Sequence, residues 1–544
     1  MTSSALTGNT VSLTIGDGES QTAGQTPASY YNLSGVAAQQ LSVVAGNSTP
    51  VTVNITAEGD LNLDTVKSVQ GDVALTSTSG SIVDATKNKF TNVIANNITL
   101  SAGGTIGTLI DPLEIDSGSG GGAGVVNATA GQTINLDQTA GNLSLGSIKA
   151  GDVATISSAG TIVNGLGSSG TNLKASAAVL TAVSGIGSAT SKPIETSVQQ
   201  LVAAGGSGPI EVENSGSLAI SNSAALAAAA GNTGVQVPAG LSAMGDIGIT
   251  VDAGSLSVDQ NVSTAGAIDV TAAGDITVAP GVLVASTTSS VTLDATAGNV
   301  TLPALATLSG STTPTTPTVF IESTNTGGST VNLFGTLKGT GAEIKTGGSD
   351  NTINLNNLPS IPLTVDGGDG GTGSNNALYI TGTTGNDTFT ITGSQVTVAP
   401  TGVSTQAGAS PVIINYSDIQ LMEVDDPNGN PGGNDTFDVT GTSAATTLDG
   451  GPGNATLNLY ASPTGSAAPN APVMFIEGAG QNTVTVTGSG QTNSPGGDDP
   501  IVLASIPPRR LTRTLRHWSA RDCSSRSAIP PRPAPRPRST SRST

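Results

Sequence analysis

The amino-acid sequence predicts an all-β fold, a parallel β-solenoid followed by β-rich repeat modules and a disordered basic C-terminal tail. Apolar residues alternate with small polar ones in short segments such as LNL at 61–63 and TVTVT at 483–487, which is the two-residue period of a half-buried strand. Glycine-rich turns separate these segments by fewer residues than a βαβ crossover needs. The turns and strands also recur in related copies, which is typical of a repeat architecture.

The composition indicates how such a chain fills its core. Of its 544 residues 73 are Gly and only 2% are aromatic, while 36% are hydrophobic. One thick core would normally contain many aromatic side chains, because each buries about 150–250 Å². We therefore expect many thin cores of Val, Ile, Leu and Ala, stacked one on another.

Two families of repeats place the solenoid at residues 51–310. A turn followed by a strand, G-D-(apolar), begins at Gly59, Gly71, Gly151, Gly245 and Gly274. A larger unit, ITLSAGGTIGTLIDPLEID at 98–116, returns as AVLTAVSGIGSATSKPIET at 178–196. Such repeats indicate coils that each bury a narrow apolar stack against the next.

The flanking segments carry separate predictions. Residues 1–50 are predicted to be an N-terminal β segment. MTSSALTGNT has neither the basic nor the apolar region of a signal peptide, so either the chain is not exported or, as we expect, this segment is truncated and the N-terminus lies upstream. Residues 311–506 repeat the short sequence motifs FIE, DGG and GNDTF and are predicted to form β-rich modules. The longest apolar run, residues 224–230, is far shorter than the roughly 20 residues of a membrane helix, so we expect no transmembrane segment.

Charge divides the chain at its C-terminal end. Residues 1–508 contain eight lysines, no arginine and a net charge of −29, whereas residues 509–544 contain ten arginines and a net charge of +9. The acidic body argues against a nucleic-acid partner, whose phosphates need Lys and Arg. The tail, 507–544, is predicted to be disordered. It is either a basic segment that binds acidic glycans or lipids or the product of a shifted reading frame, and its Arg, Pro and Ser content favours the latter.

The repeats also support a resemblance. ITLSAGGTIGT, PLEID, SGIGSATSKPIET, GSLAIS and AGDITV resemble filamentous haemagglutinin-like and other giant bacterial surface proteins, and VDGGDG, GNDTF, INYSDIQLMEVDD and LDGGPGN are similar to repeats of very large planctomycete-type extracellular proteins. The resemblance implies an exported, extracellular or cell-surface β-helix, one fragment of a longer chain, although the sequence carries no export signal. It implies a non-enzymatic structural or adhesive role, an adhesin whose partners are cell-surface or matrix components, including glycans.

The sequence argues against catalysis. His517 and Cys523, the single histidine and cysteine, both lie in the tail, so neither a Ser–His–Asp or Cys–His arrangement nor a zinc site is expected in the body. A carboxylate pair such as Asp425 and Asp426 could serve a glycosidase, but adjacent strand residues point to opposite faces. We predict no catalytic residue and no certain cofactor, and keep a polysaccharide-acting β-helix enzyme as the second alternative.

Calcium is the first alternative, as the cofactor of a calcium-stabilised secreted β-repeat module. GNDTF at 385–389 and 433–437 resembles the calcium-binding nonapeptide of RTX proteins, which makes Asp387 and Asp435 candidate metal ligands. Further carboxylates could assist: Asp366, Asp369 and Asp449. The two copies stand far apart in the chain with no tandem run, and GNATL at 453–457 has Ala455 in place of the ligand. The competing interpretation, which we favour, is an Asn-Asp turn whose side chains cap backbone amides.

Two other groups of residues have both a binding and a packing interpretation. Tyr379, Tyr416 and Tyr460 could form a sugar-stacking face, but their neighbours favour packing within strands. The amides of NTINLNNL at 351–358 could bind glycans, but a ladder of stacked Asn side chains is the favoured explanation.

Overall fold

The computed structural model describes residues 40–45 and 50–487, apart from 123, 167–169, 189–191, 223–238, 314, 369–372, 401–410, 426–432, 461–470 and 477–479, and gives the backbone of 2–3, 7–8, 11–15, 30–34, 37–38 and 502–504. These residues form strands, bridges and turns and no helix, so the prediction of an all-β, parallel β-solenoid fold is confirmed. A helix long and apolar enough to span a bilayer is accordingly not found among them. The basic tail lies outside the described residues.

The strands follow one another along the chain in four stretches. The first is β1 (Thr2–Ser3), β2 (Thr7–Gly8), β3 (Val11–Ile15), β4 (Tyr30–Ser34), β5 (Ala37–Ala38) and β6 (Leu41–Ala45). The second is β7 (Thr52–Ala57), β8 (Leu61–Ser68), β9 (Val73–Ser77), β10 (Ile82–Asp84), β11 (Val93–Ala95), β12 (Ile98–Ala102), β13 (Leu113–Ser117), β14 (Val125–Ala130), β15 (Ile134–Gln138), β16 (Leu143–Ala150), β17 (Val153–Ser158), β18 (Ile162–Asn164), β19 (Leu173–Lys174), β20 (Ala177–Ala182), β21 (Ile194–Ser197), β22 (Gln200–Gly206), β23 (Ile210–Asn214) and β24 (Leu218–Ile220).

The third stretch is β25 (Leu241–Ala243), β26 (Ile247–Val251), β27 (Leu256–Val258), β28 (Val262–Thr264), β29 (Ile268–Ala272), β30 (Ile276–Val278), β31 (Leu283–Ser286), β32 (Val291–Ala295), β33 (Val300–Leu302), β34 (Thr307–Ser309), β35 (Val319–Ser323), β36 (Thr330–Leu333), β37 (Thr336–Lys338), β38 (Ala342–Thr346), β39 (Thr352–Leu355) and β40 (Leu363–Asp366). The fourth is β41 (Ala377–Thr381), β42 (Asp387–Ile391), β43 (Gln395–Pro400), β44 (Val412–Ser417), β45 (Leu421–Asp425), β46 (Thr436–Val439), β47 (Ala445–Asp449), β48 (Thr456–Tyr460), β49 (Val473–Ile476), β50 (Thr483–Thr487) and β51 (Val502–Ala504).

Apart from β43, each described strand pairs in parallel with the strand that occupies the same position in a neighbouring coil. Between residues 247 and 338 a coil consists of three strands, for example β26, β27 and β28, which pair with β29, β30 and β31. The coil that begins at Ile247 is complete at Ile268, the residue with which Ile247 is in register. Between β26 and β34 the turns that join the strands are only a few residues long, which leaves no room for a helix within these coils.

A column of aliphatic side chains fills the interior. Leu143 pairs with Ile162, and the column continues through Ile186, Ile210 and Ile247; all five side chains are fully buried. Burial of one such side chain contributes about 1.5–3 kcal/mol. Each coil thus contributes a single layer of side chains to this column, and the neighbouring coils complete the core above and below it.

The parallel pairing continues past residue 311, since β32 pairs with β35 and β35 with β38. The division of the chain at 310 and 311 therefore stays a prediction about the repeats. Most strands belong to two long sheets: the first contains β26, β29 and β32, and the second contains β27, β28, β30 and β31. The topology changes later. In the first sheet β44 pairs in parallel with β40, β43 pairs antiparallel with both β44 and β42, and β42 pairs in parallel with β46. This insertion lengthens one coil, and Leu363 is in register with Ile414.

Candidate functional site

Both GNDTF copies occupy the same turn of consecutive coils, at the point where the chain enters a strand of the first sheet. We call such a turn a corner of the solenoid. Thr388 is in register with Thr436 across β42 and β46, and the pairing continues to Thr456 in β48 and Thr483 in β50. The corner therefore has four members: GNDTF at 385–389, GNDTF at 433–437, GNATL at 453–457 and GQNTV at 480–484. Their distance along the chain does not isolate the first two copies, because the antiparallel insertion occupies the intervening chain. Sequence reasoning missed GQNTV, which a pattern G-[NQ]-x-T-(apolar) would have found.

An amide ladder joins the four corners on their outer side. The Oδ1 atom of Asn386 accepts the backbone N–H of Asn434 at 2.7 Å, and Asn434 accepts that of Asn454 at 2.9 Å. Asn454 in turn accepts the N–H of Gln481 at 2.6 Å. Each side chain thus accepts the backbone N–H of the equivalent turn in the next coil, and the ladder lies on the exposed side of the corners.

At two of the four corners the next residue accepts a backbone N–H of the preceding coil, in the opposite direction to the first ladder. The Oδ1 atom of Asp435 accepts the backbone N–H of Asp387 at 2.7 Å, and that of Asn482 accepts the N–H of Ala455 at 2.9 Å. A carboxylate oxygen in one coil and an amide oxygen in another thus accept the same kind of backbone N–H bond. These contacts are the ones expected of an Asn-Asp turn whose side chains cap backbone amides.

The carboxylate of Asp387 is fully buried and surrounded by donors from Thr383. The Thr383 N–H donates to Oδ2 at 2.6 Å, and its hydroxyl lies 3.0 Å from Oδ1 and 2.9 Å from Oδ2. Burial raises the pKa of Asp387, and the bonds from Thr383 oppose that rise. Calcium takes six to eight oxygen ligands and no N–H donors. The donor set at Asp387 thus fits a capped carboxylate better than a metal ligand, and the calcium assignment stays a prediction.

Glycine is required where these corners approach one another. A Cβ atom on Gly433 would lie 2.1 Å from the carbonyl oxygen of Gly385, and one on Gly480 would lie 2.1 Å from that of Gly453. A Cβ on Gly382 would meet the Asp387 carboxylate at 2.9 Å. The glycines of the motif therefore permit close stacking of backbone on backbone.

Aromatic rings lie directly inside the GNDTF corners. Phe389 and Phe437 are in register and stack with ring centroids 5.1 Å apart, tilted by only 9°. Phe475, from the opposite sheet, meets Phe437 edge-on at 6.1 Å. All three are buried, so the phenylalanine of the motif is a core residue of the corner.

The carboxylates predicted to assist do not gather around Asp387. Asp366 ends β40, which β44 and β43 separate from β42, and Asp449 ends β47 in the other sheet. Each caps the amide two residues ahead, at 2.9 Å to Gly368 and 3.0 Å to Gly451. Asp369 lies outside the described residues.

The carboxylate pair and the three tyrosines singled out in the sequence do not form sites either. Asp425 lies at the end of β45, and Asp426 is outside the described part of the chain. Tyr416 is buried, and its hydroxyl donates to the carbonyl of Thr392 at 2.7 Å. Tyr379 and Tyr460 are exposed, but they lie in different sheets. The three tyrosines therefore do not form one face.

The asparagines of the segment 351–358 make hydrogen bonds between coils at two places, one in the interior and one on the surface. Asn351 is buried, and its Oδ1 accepts the N–H and the hydroxyl of Ser329, both at 2.9 Å. Its Nδ2 donates to the carbonyl of Gly347 at 2.8 Å. Asn354 points outward and donates to Asn332 of the preceding coil at 2.8 Å. One amide thus stabilises the interior, and the other belongs to the surface.

Acidic side chains follow the outer face of the first sheet. Burial raises the pKa of Glu211, and the nearby charges of Asp246 and Asp269 raise it further. The side chain of Glu211 lies over Gly248, since a Cβ there would be 2.1 Å from its Oε2. Burial likewise raises the pKa of Asp294 and Glu322. Glu211, Asp294 and Glu322 therefore have raised pKa values because their carboxylates are partly removed from water.

Among the residues that the structure describes, no group of three His, Cys, Asp or Glu side chains could hold a metal ion by itself. Comparison of the chain with protein-family models, with curated proteins and with solved structures gives no match. The chain is therefore characterised by its own architecture: a β-solenoid whose recurrent motif forms a hydrogen-bonded corner.

Proposed function

We propose that the chain is a non-enzymatic structural or adhesive repeat segment of a secreted bacterial surface protein. The stacking of its coils is the observation that supports this role. Each coil completes its core and its backbone hydrogen bonds only through its neighbours, and the outward residues of the strands remain as a regular surface. The net charge of −29 over residues 1–508 favours solubility of such a surface and repels anionic lipid.

One outward row has the chemistry of a glycan-binding surface. Asn332, Asn354 and Tyr379 occupy equivalent positions of consecutive strands, β36, β39 and β41. Amides supply both donors and acceptors to sugar hydroxyls, and a tyrosine ring offers an apolar face to a pyranose ring. Tyr379 is 36% exposed. The row therefore presents both kinds of contact about 4.8 Å apart per coil.

A binding assay on the immobilised full-length chain tests this role. Cells, matrix proteins and soluble glycans are applied in turn, and the amount that is retained is measured. We expect retention of at least one of these partners, and Tyr379→Ala to weaken glycan binding about fivefold to tenfold, the equivalent of one aromatic contact. Tyr460→Ala, on the other sheet, is the matched control. Equal loss in both variants would argue against the row, and no retention of any partner would argue against adhesion.

A calcium-stabilised module is the second candidate, because Asp387 and Asp435 lie one coil apart. Thermal melting of the full chain with calcium and with chelator tests it. A rise in melting temperature that Asp387→Asn and Asp435→Asn both abolish would support calcium at this corner, and no change on adding calcium would remove the candidate.

The enzymatic alternative has a direct assay. Incubation with plant and algal polysaccharides, followed by measurement of new reducing ends and of unsaturated products, would detect a hydrolase or a lyase. We expect neither product above the level of heat-denatured protein. Turnover that survives repurification would overturn the non-enzymatic assignment.

A further inference from the structure

The larger sequence repeat, 98–116 and 178–196, places two equivalent corners in the solenoid. The first corner contains Asp84, Asn92 and Glu114, and the second contains Asn164, Asn172 and Glu195. In the first, Asn92 Nδ2 donates to Asp84 Oδ1 at 3.0 Å, and Asn92 Oδ1 accepts the N–H of Glu114 at 3.0 Å.

The second corner has the same bonds. Asn172 Nδ2 donates to Asn164 Oδ1 at 3.0 Å, and Asn172 Oδ1 accepts the N–H of Glu195 at 3.0 Å. The backbone N–H of each central asparagine also donates to the carbonyl of the glutamate in its own corner, at 2.8 Å in the first copy and 2.9 Å in the second. Position by position, Asp84 therefore corresponds to Asn164.

The two corners differ in one functional group. In the second copy Asn164 Nδ2 donates to the carbonyl of Pro193 at 3.0 Å. Pro112 is the equivalent of Pro193, and Asp84 has an oxygen, Oδ2, where Asn164 has its NH₂ group. This oxygen is buried and has no hydrogen-bond partner, and the side chain of Asp84 is only 4% exposed. The first corner thus aims an acceptor where the second aims a donor.

A second carboxylate of the same corner has the same deficiency. Glu114 is fully buried, its Oε1 is 3.2 Å from Lys89 Nζ, and its Oε2 has no partner. Burial raises the pKa of Glu114, although Lys89 opposes that rise, and the charge of Asp84 adds to it. A buried carboxylate oxygen without a donor is costly, and this corner contains two of them.

The charges around the corner also changed between the copies. Asp111, whose pKa is raised by burial and then by the charge of Asp84, corresponds to Lys192 in the second copy. The first corner thus replaces an amide and a lysine with two carboxylates. Both replacements increase the negative potential, although Lys87 and Lys89, which correspond to Gly167 and Ser169 in the second copy, partly offset it. The remaining excess of negative charge favours a bound cation.

We propose that the corner of Asp84 and Glu114 is a cation site that binds calcium between Asp84 Oδ2, Glu114 Oε2 and the carbonyl oxygen of Pro112. All three are hard oxygen donors of the kinds that calcium prefers, and water supplies the rest of its coordination. Asp111 attracts the ion from the rim. Calcium occupies the position that the amide hydrogens of Asn164 occupy in the second copy, so that copy binds no ion.

Isothermal titration of calcium chloride into the full-length chain, after chelator treatment, tests the site. We expect Asp84→Asn to bind about one calcium ion fewer per chain than the unaltered protein. This variant reproduces the second corner, so its new amide can donate to Pro112, and circular dichroism should show it folded without calcium. Glu114→Gln should lose the same ion.

Control variants separate this site from others. Asp60→Asn removes an equal charge from a nearby exposed corner, where Asp60 caps the N–H of Ser81 at 2.7 Å, and should bind as much calcium as the unaltered chain. Asp387→Asn with Asp435→Asn reports on the GNDTF corner and should leave the Asp84 ion in place. Unchanged binding in Asp84→Asn, or no binding by the unaltered chain, would overturn the proposal.

Discussion

Truncation of Phe437 should uncouple the coils around the GNDTF corner. The ring is fully buried, stacks on Phe389 at 5.1 Å and meets Phe475 edge-on at 6.1 Å. Phe437→Ala should cost about 3–5 kcal/mol, the range for removing a buried phenylalanine. Phe437→Leu is the matched control because Leu457 occupies the equivalent position of the next coil. It should lose mainly the two ring contacts, about 1–3 kcal/mol together.

Native-state hydrogen exchange is the suitable assay, because coils couple mainly to their neighbours and the whole chain need not unfold in one step. Amides of β42, β46 and β48 should lose protection by the amounts given above, while those of β26, β29 and β32 should keep theirs. A loss below about 1 kcal/mol at β46 in Phe437→Ala, or an equal loss in both groups, would refute the assignment of this ring to a local core.

Three other predictions test the backbone, the polar interior and the acidic face. Gly71→Ala should destabilise the chain, because its Cβ would lie 1.9 Å from the carbonyl oxygen of Val51, whereas Gly59→Ala, with nothing within 4 Å, should be neutral in a thermal melt. Asn351→Ala should cost about 2–4 kcal/mol in chemical denaturation by leaving buried donors and acceptors unpaired; a cost below about 1 kcal/mol would contradict its role. Burial raises the pKa of Glu211 from 4.5, so the folded state binds more protons than the unfolded state above that pH. Stability should then fall as pH rises, giving a higher melting temperature at about pH 5 than at about pH 8 and a smaller difference in Glu211→Gln; a melting temperature that rises with pH would contradict this.

Local pattern was sufficient for the fold class. Alternation in segments such as INL and TVTVT, interrupted by glycine turns, leaves a strand as the conformation that buries one face. The small share of aromatic residues then requires thin stacked cores, and the aliphatic column through Ile186 and Ile247 is such a core. The correspondence of Pro112 with Pro193 was also visible in the sequence, because a repeat in sequence is a repeat in structure.

The neighbours of each coil were decided only by the tertiary structure. The distance along the chain between the GNDTF copies did not predict their contact, because the intervening chain contains the antiparallel strand β43 while β42 still pairs with β46. Sequence likewise could not separate Asp387, whose carboxylate is filled by donors from Thr383, from Asp84, whose Oδ2 faces no donor. Both are aspartates at glycine-rich or polar corners. Which oxygen is left unpaired depends on the side chains that the adjacent coils bring to it, and that is a property of stacking rather than of local sequence.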